Sequence, residues 1–202
     1  EKETGSAFQW NDKNFNSNYG GINKGVRPHV TERLYQTLPL YTNLKTTGVY
    51  VHAQDIDVQR RTATVTAESE VKNDSAEKKV FAFEYVVQDL NGKTLKTVKG
   101  PTFPIEPGET KMVGTYGKLS NLNFWSWGYG YLYTITTNLR IDGKIVDSVK
   151  TRTGFRKTKF GNGLFKLNDR TLMLKGYAQR TSNEWPALGN AVPPWLSDFS
   201  NR

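Results

Sequence analysis

The chain has 202 residues, is 36% hydrophobic and 12% aromatic, and carries 28 Lys and Arg against 19 Asp and Glu, a net charge of +9. It has no cysteine, which excludes disulfides and thiolate metal sites, and no apolar run reaches the ~20 residues of a membrane-spanning helix. The basic residues are scattered along the chain, and no arginine-rich segment or recognition helix stands out. The charge therefore reads as a solvated surface, with neither nucleic acid nor membrane as a partner.

The opening residues, Glu1-Lys2-Glu3-Thr4-Gly5, lack a basic stretch followed by an apolar core, so no secretion signal is read in them. Residues 1 to 20 are polar and Asn-rich, follow neither the helical nor the strand period, and read as loop. Gly20-Gly21-Ile22 follows, and Val30 to Tyr35 is expected as a strand. Residues 1 to 45 cannot form a sandwich by themselves, because an isolated strand pair is only marginally stable.

Residues 46 to 156 hold the strongest alternation. Strands are expected at Val49 to Val58, Thr62 to Val71, Lys79 to Asp89, Thr94 to Val98, Thr110 to Tyr116, Tyr131 to Ile141 and Lys144 to Thr153. Turn chemistry separates them: Asn73-Asp74-Ser75, Asn91-Gly92, Pro107-Gly108-Glu109 and Asp142-Gly143. Phe81, Phe83, Tyr85 and Val87 alternate strictly with polar or smaller neighbours. Short strands with a turn every ten residues or so predict an all-β fold, an immunoglobulin-like β-sandwich with flanking partial segments. Phe81 or Phe83, Tyr133 or Leu132, and Ile135 are expected in its core.

One stretch carries a resemblance. Trp125-Ser126, Tyr131-Leu132-Tyr133-Thr134, Asp142-Gly143-Lys144, Val146-Asp147 and Gly154-Phe155-Arg156 follow one another in an order that resembles glycoside hydrolase family 2. That is the β-galactosidase, β-glucuronidase and β-mannosidase group. The departure is Gly128-Tyr129-Gly130, where the family often places a proline. The resemblance extends outward. A Trp, a polar loop, Gly20-Gly21-Ile22 and a strand are similar to the end of the family's sugar-binding jelly-roll. Leu164 to Gly176 is similar to the hairpin that opens its (β/α)8 barrel, with Asp169 in place of the usual Gly and Lys175 in place of the usual Arg. The implied organisation is 1–45, the end of the jelly-roll; 46–156, the immunoglobulin-like sandwich; and 157–202, the truncated start of the barrel.

The resemblance implies a retaining β-glycosidase as parent, β-galactosidase-like and active in carbohydrate degradation. Such enzymes use two carboxylates ~5 Å apart. A barrel needs ~250 residues, and some forty-five follow the sandwich, so no catalytic residue is assigned. Asn183-Glu184 imitates the family's Asn-Glu acid/base pair but comes too early for it. Arg180, Asn183, Glu184 and Trp185 are instead expected to bind substrate in the parent only, as part of a loop after the first barrel strand. Tyr177-Ala178-Gln179-Arg180-Thr181 stands where the family often carries Arg and His.

The implied partners are the remainder of the parent enzyme, jelly-roll and barrel, and its carbohydrate substrate. The parent is expected in the periplasm or outside the cell. The apolar tail from Tyr177 to Arg202 lacks the barrel it would pack against. It is expected to be mobile, or to dock on its own sandwich or on a second copy in self-association.

The five tryptophans admit a sugar-stacking role, but Trp125 and Trp127 are expected to pack in the core or at a domain interface. His29 and His52 are isolated and poor metal ligands, and no cofactor is expected. The alternative from a different class is an independent carbohydrate-binding β-sandwich.

Overall fold

The computed structural model describes residues 26–176 together with Trp195, Asp198 and Phe199. Among the described residues there are eleven strands: β1 (Leu34–Gln36), β2 (Val49–Asp57), β3 (Thr62–Asn73), β4 (Lys79–Gln88), β5 (Thr94–Ile105), β6 (Thr110–Leu119), β7 (Tyr133–Ile141), β8 (Lys144–Thr153), β9 (Thr158–Gly161), β10 (Leu164–Leu167) and β11 (Arg170–Thr171). They belong to one compact unit, Val30–Leu174. Trp195, Asp198 and Phe199 have helical backbone and belong to a second unit. Among the described residues no helix is long and apolar enough to cross a membrane.

The fold class is all-β, and the sandwich is immunoglobulin-like. In one sheet β3 is central, with β6 on one side and β2 and β1 in succession along the other; the second sheet runs β5-β4-β7-β8. Every pairing is antiparallel. The period-two pattern explains why the sheets face each other. On β3, Ala63, Val65, Ala67, Ser69, Val71 and Asn73 point inward; on β4, Phe81, Phe83, Tyr85 and Val87 do; on β7, Tyr133, Ile135, Thr137 and Leu139. The expected core residues Phe81, Phe83, Tyr133 and Ile135 are all buried in one cluster with Val65, Ile105 and Leu122. Leu132 is only partly buried and lies just before β7.

Two turns quoted from the sequence meet in space. Asn73, fully buried, donates from Nδ2 to the carbonyls of Glu77 at 2.8 Å and Glu106 at 3.2 Å, and its Oδ1 accepts from the Ser75 backbone at 3.1 Å and hydroxyl at 2.6 Å. Its own backbone binds the Glu109 carbonyl and the Gly108 amide. One asparagine thus ties the 73–75 turn to the 105–109 turn.

Four expectations change. The first strand covers Leu34–Gln36, since Val30 lies exposed before it. The fifth runs on to Ile105 through Pro101 and Pro104. Proline lacks the amide a central strand must donate, but β5 is the edge of its sheet, and a register irregularity falls beside Pro101. Gly100 is needed there, because a side-chain carbon would sit 2.7 Å from the Phe83 carbonyl. The strand β9 is additional; it pairs with β10 across Asn162-Gly163, both at positive φ. Trp127, expected in the core or at a domain interface, is 64% exposed and lines a cleft beside β10 and β11, so of the two places the core is excluded.

Candidate functional site

Among the described residues, two joints and two clefts within Val30–Leu174 are candidates for function. The first joint receives the segment that enters the sandwich. β1 pairs with β3, yet its Gln36 also reaches the opposite sheet. The Gln36 amide N–H donates to Asp147 Oδ2 at 2.8 Å; its side-chain Nε2 donates to the same oxygen and to the Thr137 carbonyl, each at 3.2 Å. Gln36 is fully buried, and its Oε1 has no protein partner. Beside it the Thr37 amide donates to the Glu70 carbonyl, while the Thr37 hydroxyl donates to the Glu70 carboxylate at 2.7 Å and accepts the Gly48 amide. The Tyr35 hydroxyl donates to Asp74, whose carboxyl the Lys72 ammonium holds below its usual range. Burial, first, and then the Asp74 contact push the Tyr35 hydroxyl up.

The second joint releases the segment that leaves. The aromatic hairpin builds it: Tyr129, Tyr131, Tyr133 and Phe155 form a ladder with ring centroids 5.8, 5.0 and 5.2 Å apart. Trp125 donates its amide to the Phe155 carbonyl, and the Arg156 guanidinium lies over its ring, 5.2 Å from the centroid. Asn168, at the β10–β11 turn, completes the joint. Its Nδ2 donates to the Trp125 carbonyl at 2.9 Å and its Oδ1 accepts the Lys157 amide at 3.0 Å, so the three-stranded β9–β10–β11 sheet is fastened to the hairpin. Asn168 and Asp169 both have positive φ, which suits the two central positions of a tight hairpin turn. Between this sheet and the Ser126–Tyr129 turn lies a cleft of ≈ 180 Å³ lined by Trp127, Leu167 and Arg170.

The larger cleft, ≈ 770 Å³, lies on the outward face of the β5-β4-β7-β8 sheet. Glu84 and Arg140 are among its lining residues, and from Glu84 a polar row runs through Asn138 to Ser148. Arg140 Nε donates to Glu84 Oε1 at 2.7 Å, Asn138 Nδ2 donates to the same oxygen at 3.2 Å, and the Ser148 hydroxyl donates to Asn138 Oδ1 at 2.9 Å. Glu84 is 5% exposed and Asn138 4%. The buried carboxylate is compensated by its arginine, which also donates to the Gly143 carbonyl of the β7–β8 turn.

Arg180, Asn183, Glu184 and Trp185 lie outside the described residues, as do residues 1 to 20 and most of the tail from Tyr177 to Arg202. His29 and His52 belong to no metal-binding group, and among the described residues no three His, Asp or Glu gather to hold an ion. Trp125 packs at the second joint rather than in the central core. Sequence reasoning missed Gln36, Asp147 and Glu84 as site-forming residues, since their partners lie far along the chain.

The fold is thus a two-sheet immunoglobulin-like sandwich with a clamped entering strand and a clamped departing hairpin. Residues 46–156 match the glycosyl hydrolases family 2, over more than half of the sequence, and the chain belongs to that family. It is 31% identical over 192 residues to a β-glucuronidase of Formosa agariphila, covering 95% of this chain and 19% of that protein. It is 28% identical over 129 residues to an exo-β-D-glucosaminidase of Hypocrea jecorina, covering 61% of this chain and 14% of that protein. The structure of a family 2 β-glucuronidase superimposes with a TM-score of 0.76 at 31% identity, over 84% of this chain and 18% of the other. The chain thus spans about a fifth or less of the relatives it matches.

Proposed function

We propose that this chain is the non-catalytic sandwich portion of a β-glucuronidase-like retaining glycosidase, and that it fixes the preceding and following parts of the parent relative to each other. The observation that carries the reading is the pair of joints. Gln36 fastens the entering strand to both sheets, and Asn168 fastens the departing hairpin to Trp125. A spacer whose ends hang free cannot hold an active site to the sub-ångström tolerance catalysis needs; one whose ends are hydrogen-bonded into its own core can. The 31% identity to a β-glucuronidase over nearly the whole chain favours that activity for the parent over β-galactosidase.

In this reading residues 1–45 end a jelly-roll, residues 46–156 form the sandwich, and residues 157–202 begin a barrel. The acid/base and nucleophile carboxylates lie further along the parent. Arg180, Asn183, Glu184 and Trp185 belong to the first loop over its active site, and the tail to Arg202 seats against the barrel or, in its absence, against a second copy.

The test compares this chain with its parent on 4-nitrophenyl β-D-glucuronide, β-D-galactoside and β-D-mannoside. The chain alone releases no nitrophenol from any of them, and the parent releases it from the glucuronide. Turnover by the chain alone that disappears on Glu184→Gln overturns the reading.

A further inference from the structure

A carboxylate buried on the outward face of a sheet, as Glu84 is, needs a reason, because a solvent-facing position ordinarily leaves its carboxylate in water. Here Ser148, Asn138 and Arg140 are all spent on orienting Glu84. Glu84 Oε1 receives both donors, which leaves Oε2 as an acceptor toward the ≈ 770 Å³ cleft. The register places Lys99 directly opposite Glu84 across β4 and β5. Yet Arg140 takes the carboxylate, and Lys99 forms no ion pair among the described residues. Lys99 is therefore an uncompensated cation at the cleft wall. Asp142, on the turn at the opposite rim, is likewise unpaired, and the hydroxyls of Thr97 and Thr102 complete the polar lining above an apolar strip of β4.

We propose that this cleft binds a carboxylated, hydroxyl-rich ligand, namely a uronate-bearing oligosaccharide. The sugar carboxylate pairs with Lys99. Ring hydroxyls donate to Glu84 Oε2 and Asp142 and exchange hydrogen bonds with Thr97 and Thr102. The charge balance selects this class. Among the described residues the cleft carries Lys99 and Asp142, neither in an ion pair, and a neutralised Glu84–Arg140 pair. A phosphate dianion would meet Asp142 without a second free cation to offset it, and a cationic peptide would meet Lys99. A single carboxylate on a polyol satisfies every group. The volume falls within the ~300–1,000 Å³ of small-molecule sites. The choice of uronate among sugar acids rests on the β-glucuronidase-like reading of the parent; the location of the site does not.

The test is calorimetric titration of the 202-residue chain with a glucuronic-acid-containing tetrasaccharide and with its carboxyl-reduced counterpart. The acid form binds; reduction of the carboxyl weakens binding at least tenfold. Lys99→Ala, at an exposed position where folding is undisturbed, weakens the acid form by a similar factor, and Lys99→Arg retains it. Absence of binding, equal affinity for both sugars, or full affinity in Lys99→Ala overturns the proposal. The parent is assayed in parallel on 4-nitrophenyl β-D-glucuronide. A parent inactive on that substrate would sink the β-glucuronidase-like reading alone, whereas an active parent whose sandwich ignores the tetrasaccharide would sink the cleft alone.

Discussion

Gln36 and Asp147 meet across 111 residues of sequence, one carboxylate oxygen of Asp147 accepting both the backbone and the side-chain amide of Gln36. The pair joins a strand of one sheet to an edge strand of the other, so β1 is anchored twice. Removing the carboxylate leaves the Gln36 backbone N–H without its acceptor and its Nε2 with the Thr137 carbonyl alone, and an unsatisfied buried donor costs ~1–3 kcal/mol. Asp147→Ala is therefore expected to lower stability by about 2 kcal/mol in urea denaturation, and to raise amide exchange in residues 34–37 more than in β4 or β7. Uniform change across the sandwich would mean that β1 is held by its ladder alone.

Asn73 serves two turns through one amide. Asn73→Ala removes one donor from each of the Glu77 and Glu106 carbonyls, which keep the Ser75 hydroxyl and the Glu109 amide, and removes the acceptor of the Ser75 amide and hydroxyl. A loss of about 3 kcal/mol or more is expected, from several groups at ~1–3 kcal/mol each. Asn73→Asp keeps the acceptor but loses the donor, and should fall between. Urea midpoints at constant slope would measure both.

Alkaline pH should loosen the core from one known point. The Tyr85 hydroxyl donates to the Val65 carbonyl at 2.7 Å, and burial pushes it from 10.0 up to about 12. Burial raises Tyr133 as well. The folded state holds protons that the unfolded state releases, so this contribution is complete below pH 10 and is lost as pH rises from 10 toward 12. For Tyr85 the loss amounts to about 2–3 kcal/mol at ~1.4 kcal/mol per pKa unit. Tyr85→Phe should be less stable at neutral pH yet flatter across that window, which denaturant titration at stepped pH would show.

The compact unit runs from Val30 to Leu174, wider at both ends than the strongest alternation. Limited proteolysis should leave a resistant fragment close to those limits. Asn168→Ala, which unfastens β9–β11 from Trp125, should move the C-terminal cut back toward Phe155. An unchanged cut in that variant would show that packing, not this hydrogen bond, protects the hairpin.

The sandwich was legible because burial wrote itself into period two. Phe81, Phe83, Tyr85 and Val87 point one way, and Asp142-Gly143, with φ of 48° and 77°, takes the turn its residues favour. Two strands were obscured for opposite reasons. β5 continues through prolines that only an edge position tolerates, and every residue of β9 is exposed, so no alternation marks it. Asn162-Gly163 was the signal available for that second hairpin. The joints and the cleft were not legible, because Gln36–Asp147 and Glu84–Arg140 are made by sheet pairing and not by local sequence. Glu84, between Phe83 and Tyr85, reads as an ordinary outward polar residue; the register sets Lys99 opposite it, and only the side-chain contact shows that Arg140 takes the carboxylate.

The central claim is that the sandwich positions the catalytic parts of the parent without taking part in the chemistry. The most direct measurement is kcat/KM of the parent on 4-nitrophenyl β-D-glucuronide with Asp147→Ala and Asn168→Ala combined, at a temperature where the variant remains folded by circular dichroism. The joints lie outside any catalytic pair, so the account predicts at least a tenfold fall from misplacement alone. Wild-type kcat/KM in the folded double variant would contradict it.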